Sequence, residues 1–117
     1  MTPAELKTRT KLFALRVIKL VAVIPHGRAN DIIARQILRS ATSVGANYRS
    51  ACRAQSRADF AAKMAIVGEE ADETLYWLEL LSESSLMKAE RLKDLIKEAD
   101  EIVAIVTASR KTAKRVS

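Results

Sequence analysis

Four segments of the chain repeat apolar residues at steps of three and four, which is the spacing of one face of an α-helix. The composition agrees, because only 3 glycines and 2 prolines interrupt a chain rich in helix-forming residues. We predict an all-α fold, an antiparallel up-down-up-down four-helix bundle in which each helix buries one face. The four stripes are Leu6, Phe13, Val17, Leu20 and Ile24; Ile33, Ile37, Ala41, Val44 and Tyr48; Phe60, Met64, Val67, Ala71, Leu75 and Leu78; and Leu92, Leu95, Ile96, Ala99, Ile102, Val103 and Val106.

The breaks between the stripes predict where the helices begin and end. At 117 residues the chain is expected to form a single domain, 1–117. Thr2 and Glu5 have the spacing of a capping box around a proline at the first helical position. Pro25 disfavours helical geometry at the residue before it and so ends the first helix. The predicted helices span about 3–24, 30–53, 57–82 and 89–111, and a short basic tail follows.

Charge is distributed unevenly along the chain, which carries 20 basic and 14 acidic residues. Residues 1–28 contain six basic side chains and one acidic side chain, whereas residues 58–87 contain one basic and seven acidic ones. This asymmetry predicts contact with an acidic partner. It also predicts a second contact, with a basic segment of the same molecule or of a neighbouring copy.

Catalytic and metal-binding patterns are absent from the sequence. His26 is the single histidine and Cys52 the single cysteine, so neither a nucleophile–base set nor a zinc site can be assembled. Charges such as Arg16 and Lys19 break the apolar runs, which argues against a membrane span. We expect a cytoplasmic protein without enzymatic activity or cofactor, in which Cys52 serves as a small apolar side chain.

A row of arginines lies on the second predicted helix, opposite its apolar stripe. At about 100° per residue its members fall within an arc of about 80°, and they extend over about 27 Å. Guanidinium groups bind phosphates as planar forks, so the row predicts nucleic-acid binding through the phosphate backbone. An ordinary solvated face is the alternative. The predicted nucleic-acid contacts are Arg35, Arg39, Arg49 and Arg53 of the row, and Arg110, Lys111, Lys114 and Arg115 near the end of the chain.

Several apolar residues lie outside the core stripes and predict an oligomer interface. They are Leu15, Ile18 and Ala22 on the first helix, and Ile66 and Trp77 on the third. Trp77 is expected to face outward, although a neighbouring helix could instead cover it at the edge of the bundle. Ser43, Asn47 and Glu73 are expected to be structural polar residues. In particular, we predict that a side-chain hydrogen bond from Asn47 fixes the helix register or a subunit contact.

The motifs of the central region resemble a known family. The matching residues are Gln36-Ile37-Leu38-Arg39-Ser40-Ala41, Ser43-Val44-Gly45-Ala46-Asn47 and Trp77-Leu78, with Pro25, Arg53, Ser56, Asp59, Phe60 and Glu73 at fixed spacing. They resemble the four-helix-bundle family of the reading frames in 23S rRNA intervening sequences, also called S23 ribosomal protein-like, over roughly residues 10–112. The chain departs from the commoner Ile-Ala-Glu-Gly pattern at Tyr48-Arg49-Ser50-Ala51.

The resemblance implies a homo-oligomeric bundle, for which a pentamer is the best-known arrangement. The chain is also similar to the accessory protein of diversity-generating retroelements, a basic pentameric bundle that works with a reverse transcriptase and nucleic acid. For most members of the family no biochemical activity is established. We therefore expect a homo-oligomer that binds RNA or DNA with little sequence preference and does not associate with membranes. The alternative is an oligomeric scaffold for a protein partner without a nucleic-acid role.

Overall fold

Four α-helices make up most of the chain in a computed structural model, which describes the backbone of residues 1–116 and the side chains of residues 1–113. They are α1 (Pro3–Val23), α2 (Arg28–Cys52), α3 (Arg57–Glu83) and α4 (Lys93–Val116), and a 3-10 turn, Ala89–Arg91, precedes α4. The described part of the chain contains no β-strand. The prediction of an all-α fold with four helices is confirmed.

The helix ends follow from local hydrogen bonding. Thr2 Oγ1 accepts a hydrogen bond from the backbone N–H of Glu5 at 3.1 Å, and Ser56 caps α3 through the N–H of Asp59 at 3.0 Å. The structure differs from the expected bounds at three places. Helix α2 begins two residues earlier than predicted. Helix α4 begins at Lys93 rather than about residue 89, after the 3-10 turn, and it continues to Val116, so that the predicted basic tail is helical through that residue.

The predicted apolar stripes meet in one core. Phe13, Ile37, Met64 and Ile102, one from each helix, are almost fully inaccessible to solvent. Burying a side chain of this size contributes about 1.5–3 kcal/mol, so these contacts dominate the stability of the fold. The outer members of the stripes, such as Leu75, are only half-buried because they lie at the margins of the helix faces.

Helix α2 is held between α1 and α3 by contacts of different kinds. Its Gly45 faces α1, where an added Cβ would lie at ordinary contact distance, 3.5 Å, from Thr10 Oγ1. Toward α3, the buried hydroxyls of Ser40 and Thr74 form a hydrogen bond of 2.8 Å. Small residues therefore permit the first contact, and a polar pair specifies the second.

Helices α1 and α4 are joined less extensively, with a cluster of charged side chains at the seam. Arg9 Nε and Nη2 donate to the two carboxylate oxygens of Glu98 at 2.8 and 2.6 Å, and Nη2 also donates to Glu101 at 2.9 Å. The hydrogen bonds to Glu98 are the main reason that the pKa of Arg9 lies above its usual value. This bidentate geometry is the strongest form of a carboxylate–guanidinium contact.

Candidate nucleic-acid interface

The predicted arginine row is interrupted at its second member. Arg39 lies beside α3, where its Nη1 donates to Glu70 Oε2 at 3.2 Å and its Nη2 donates to Glu73. The hydrogen bond from Arg39 is the main reason that the pKa of Glu73 lies below its usual value. Two carboxylates from the neighbouring helix therefore neutralise a residue that the sequence assigned to phosphate binding.

The other three arginines of the predicted row, Arg35, Arg49 and Arg53, are exposed and form no ion pair with the described residues. Asp31 lies four residues before Arg35, but its carboxylate contacts His26 Nδ1 at 3.3 Å. Arg49 and Arg53 lie one helical turn apart at the end of α2, where they face α1. Arg49 and Arg53 are thus two members of the predicted row that lie close together with their charge not neutralised.

A groove between α1 and α2 collects this charge together with two lysines that the sequence analysis did not assign. It has a volume of about 480 Å³ and no acidic residue in its lining. The residues that line it are Lys7, Thr8, Lys11 and Ala14 from α1, and Thr42, Gly45, Ala46, Arg49 and Arg53 from α2. Four cations therefore converge on one channel, two from each helix.

The groove exists because small residues line the seam between the two helices. Ala14, Gly45 and Ala46 leave space above the backbone, and the cationic side chains form the walls. Lys7 and Lys11 lie one turn apart along α1, a spacing of about 6 Å, and Arg49 and Arg53 are spaced in the same way along α2. Such a channel can hold an extended anion, with guanidinium forks and ammonium groups on opposite sides.

The remaining predicted nucleic-acid residues lie elsewhere. Arg35 is exposed on the first half of α2, about 21 Å along the helix from Arg49. Arg110 and Lys111 are exposed on α4 and do not line the groove. Lys114 and Arg115 belong to α4 by their backbone, but their side chains lie outside the described residues.

Trp77 differs from the sequence-based expectation. Its indole is half-buried against the core, and Nε1 donates to Glu73 Oε1 at 3.2 Å. The neighbouring Tyr76 is instead the exposed aromatic residue of α3, and the two rings meet edge to face at 5.4 Å. The alternative of a tryptophan at the edge of the bundle therefore describes its position better than an outward-facing one.

Asn47 forms a hydrogen bond within its own helix, and the subunit contact expected of it stays a prediction. Its Nδ2 donates to the carbonyl oxygen of Ser43 at 2.8 Å, one turn earlier in the same helix. A bond within one helix does not set the register between two helices. That role belongs to Ser40 and Thr74, whose hydroxyls cross from α2 to α3. The carboxylate of Glu73 accepts hydrogen bonds from both Arg39 and Trp77.

The predicted apolar residues of the outer surface are solvent-exposed in the single chain. Leu15, Ile18 and Ala22 lie on the outward side of α1, and Ile66 lies on the outward side of α3. The described residues include no group of three or more His, Cys, Asp and Glu side chains placed to hold a metal ion. No helix of residues 1–116 has the length and apolar character needed to cross a bilayer.

Comparisons with known proteins identify a family match and a structural relative. The family described as 23S rRNA-intervening sequence protein matches residues 4–108. A comparison with curated proteins finds no match. The fold is similar to the 1.70 Å crystal structure of a protein with unknown function from the S23 ribosomal protein family of Bacteroides thetaiotaomicron. The two share 37% sequence identity and a TM-score of 0.86, over 95% of this chain and 99% of the other.

Proposed function

The chain belongs to the 23S rRNA-intervening sequence protein family, and from this premise we propose that it is a non-enzymatic homo-oligomer that binds RNA or another nucleic acid through phosphate contacts. The observation that carries the proposal is the groove between α1 and α2. Lys7, Lys11, Arg49 and Arg53 line it without a carboxylate to neutralise them. A polyanion that enters the groove releases its condensed counterions, and this release drives binding.

The lining of the groove favours contact with the backbone over readout of bases. Aromatic side chains, on which bases would stack, are absent among its described lining residues. Thr8 and Thr42 add hydroxyls suited to phosphate oxygens, and the alanines and glycine add no hydrogen-bonding side chain. The protein should therefore bind many sequences with similar affinity.

The arrangement of the helices and their exposed surface support the assembly part of the proposal. Lys7 near the start of α1 and Arg53 at the end of α2 line one groove, as expected when helices alternate in direction in an up-down bundle. The exposed Leu15 and Ile18 give the chain an apolar surface suited to self-association. A closed oligomer, for which the family resemblance suggests five copies, repeats the groove around a ring and increases avidity without new contacts.

Salt-dependent binding tests the proposal. Fluorescence anisotropy with labelled single-stranded RNA and duplex DNA should give a linear fall of log K with log salt. Four phosphate contacts correspond to a slope of about −3.6 on duplex DNA, and removing two should reduce its magnitude by about 1.8. The double variant Arg49→Glu, Arg53→Glu should therefore bind more weakly and with a shallower slope.

A matched control separates the groove from net charge. Lys88→Glu, Lys97→Glu changes the charge by the same amount at exposed positions outside the groove. It should retain most of the affinity of the parent at physiological salt, where charges are screened over about 8 Å. Equal loss in both variants would assign binding to overall charge. Absence of binding at low salt would favour the rival function, a scaffold for a protein partner.

A further inference from the structure

The outward side of α1 combines apolar and basic side chains. Leu12, Leu15 and Ile18 are 54%, 48% and 48% exposed, which is unusual for neighbouring aliphatic residues on one helix. Lys11 and Lys19 lie on the same side and form no ion pair with the described residues. This surface, which we call the α1 face, is therefore apolar at its centre and positive around it.

The outward side of α3 has the complementary character. Ile66 and Tyr76 are 46% and 55% exposed, and the exposed Glu69 and Asp72 lie between them along the helix, with Glu79 after them. The sequence contains no lysine or arginine between residues 64 and 87. This surface, the α3 face, therefore carries two apolar side chains among negative ones.

The two faces cannot meet within one chain. Helix α1 contacts α2 and α4, and α3 contacts the same two helices, so α1 and α3 lie diagonally across the fold. Their outward sides consequently point in opposite directions. Any contact between them has to form between two molecules.

We infer that the α1 face of one copy docks on the α3 face of the next copy, head to tail. The inference rests on the proposed self-association and specifies how it occurs. Leu15 and Ile18 would pack against Ile66 and Tyr76, and Lys11 and Lys19 would meet the carboxylates of Glu69 and Asp72. The pair keeps one unused α3 face on the first copy and one unused α1 face on the second, so the contact repeats and can close into a ring.

Charge selects this pairing over the symmetrical ones. Two α1 faces in contact would bring Lys11 and Lys19 of both copies together, and two α3 faces would bring Glu69 and Asp72 together. Like charges placed opposite each other oppose association and so exclude the wrong partner face. The exposed apolar side chains supply attraction for all three combinations, but only the head-to-tail one is also electrostatically favourable.

A mixing experiment with two variants tests the pairing. The first variant carries Leu15→Gln and Ile18→Gln and so removes apolar side chains from the α1 face. The second variant carries Ile66→Gln and Tyr76→Gln and so removes the apolar side chains from the α3 face. All four positions are exposed, so the helical circular dichroism should not change. Alone, each variant should be a 12.9 kDa monomer by light scattering. Mixed, they should form a one-to-one dimer, because one intact face of each kind remains.

Every other result overturns the inference. If either variant assembles alone, the interface joins like faces or uses another surface. A mixture that stays monomeric, or a parent that is monomeric at all concentrations, contradicts the head-to-tail contact directly. If a double variant loses helical circular dichroism, a single variant replaces it: Ile18→Gln for the α1 face and Ile66→Gln for the α3 face. The control Lys88→Glu, Lys97→Glu should have the size of the parent. Lys11 belongs to both the groove and the α1 face, but these variants leave all four groove cations in place, so a failure of nucleic-acid binding is separately visible.

Discussion

The hydroxyl groups of Ser40 and Thr74 lie 2.8 Å apart in the core and join α2 to α3. Each also lies 2.8 Å from the carbonyl oxygen one turn earlier, that of Gln36 or Glu70. Replacing one hydroxyl therefore leaves the other with a carbonyl partner. The pair specifies the register of α2 against α3. Removing one of its hydroxyls should lower the stability of the fold only moderately.

Removal of either hydroxyl should lower the free energy of unfolding by about 0.5–1.5 kcal/mol. The variants are Ser40→Ala and Thr74→Val, measured by urea denaturation. The double variant should lose less than the sum, because both single variants break the same bond. Thr42→Ala is the control, since its hydroxyl binds only carbonyls of its own helix. Strict additivity of the two core changes would show that the cross-helix bond contributes nothing.

Gly45 should accept alanine and reject leucine. An added Cβ would lie 3.5 Å from Thr10 Oγ1 and 3.6 Å from the Thr10 backbone, which are ordinary contacts. Because alanine favours a helix interior by up to about 1 kcal/mol, Gly45→Ala should raise the thermal midpoint. Gly45→Leu should lower stability by about 1–3 kcal/mol and fill part of the groove. Gly68→Ala on α3 provides the matched control, and destabilisation by Gly45→Ala alone would reveal a tighter contact.

The pKa of Glu73 should respond to Arg39. Hydrogen bonds from Arg39, and secondarily from Trp77, hold this pKa below its ordinary value of 4.5. The interaction therefore contributes stability above about pH 4.5, and that contribution is lost as the pH falls through the lowered pKa. In Arg39→Gln, an NMR titration should show the pKa of Glu73 rising toward 4.5.

The same variant should show a smaller loss of stability over this acidic range. Asp59, whose pKa is lowered chiefly by a hydrogen bond from Lys63, should titrate as in the parent. An unchanged pKa of Glu73 in Arg39→Gln would assign its shift to Trp77.

The turn after α3 contains a backbone strain that glycine would relieve. Ser85 has a φ of 60°, the left-handed conformation that costs a non-glycine residue about 1–2 kcal/mol. Ser85→Gly removes this strain but increases the freedom of the unfolded chain, so the net gain should be up to about 1 kcal/mol. Ser84→Gly, at an ordinary φ of −79°, should not stabilise the protein. Equal effects of the two changes in thermal unfolding would contradict the argument.

Periodicity was sufficient to predict the core but not the groove. The stripes containing Phe13, Ile37 and Met64 are properties of single helices, so the sequence alone identifies them. Lys7 and Lys11 become part of a site only when α1 docks on α2, and no pattern within α1 indicates that contact. The basic character of residues 1–57 could have suggested that these lysines lie near other basic residues. It could not show where such a site would form.

The neutralisation of Arg39 was missed for the same reason. A helical wheel shows the direction in which a side chain leaves its helix, but not what the neighbouring helix places there. Glu70 and Glu73 reach Arg39 from α3, thirty-one and thirty-four residues later in the chain. Asn47 illustrates the reverse case, because a side chain at a helix flank found its partner in the preceding turn of its own helix.

Two arginines of the same row should consequently differ in their contribution to nucleic-acid binding. Arg53 lines the groove, whereas Arg39 is held by two carboxylates of α3. Arg53→Gln should weaken binding and reduce the magnitude of the salt slope on duplex DNA by about 0.9, the loss of one phosphate contact. Arg39→Gln removes the same charge but should leave the slope unchanged, because two carboxylates already neutralise Arg39. Anisotropy titrations of both variants across a salt series measure the two slopes of log K against log salt. Equal changes of slope would show that Arg39 contributes as much as Arg53, as an uninterrupted arginine row predicts.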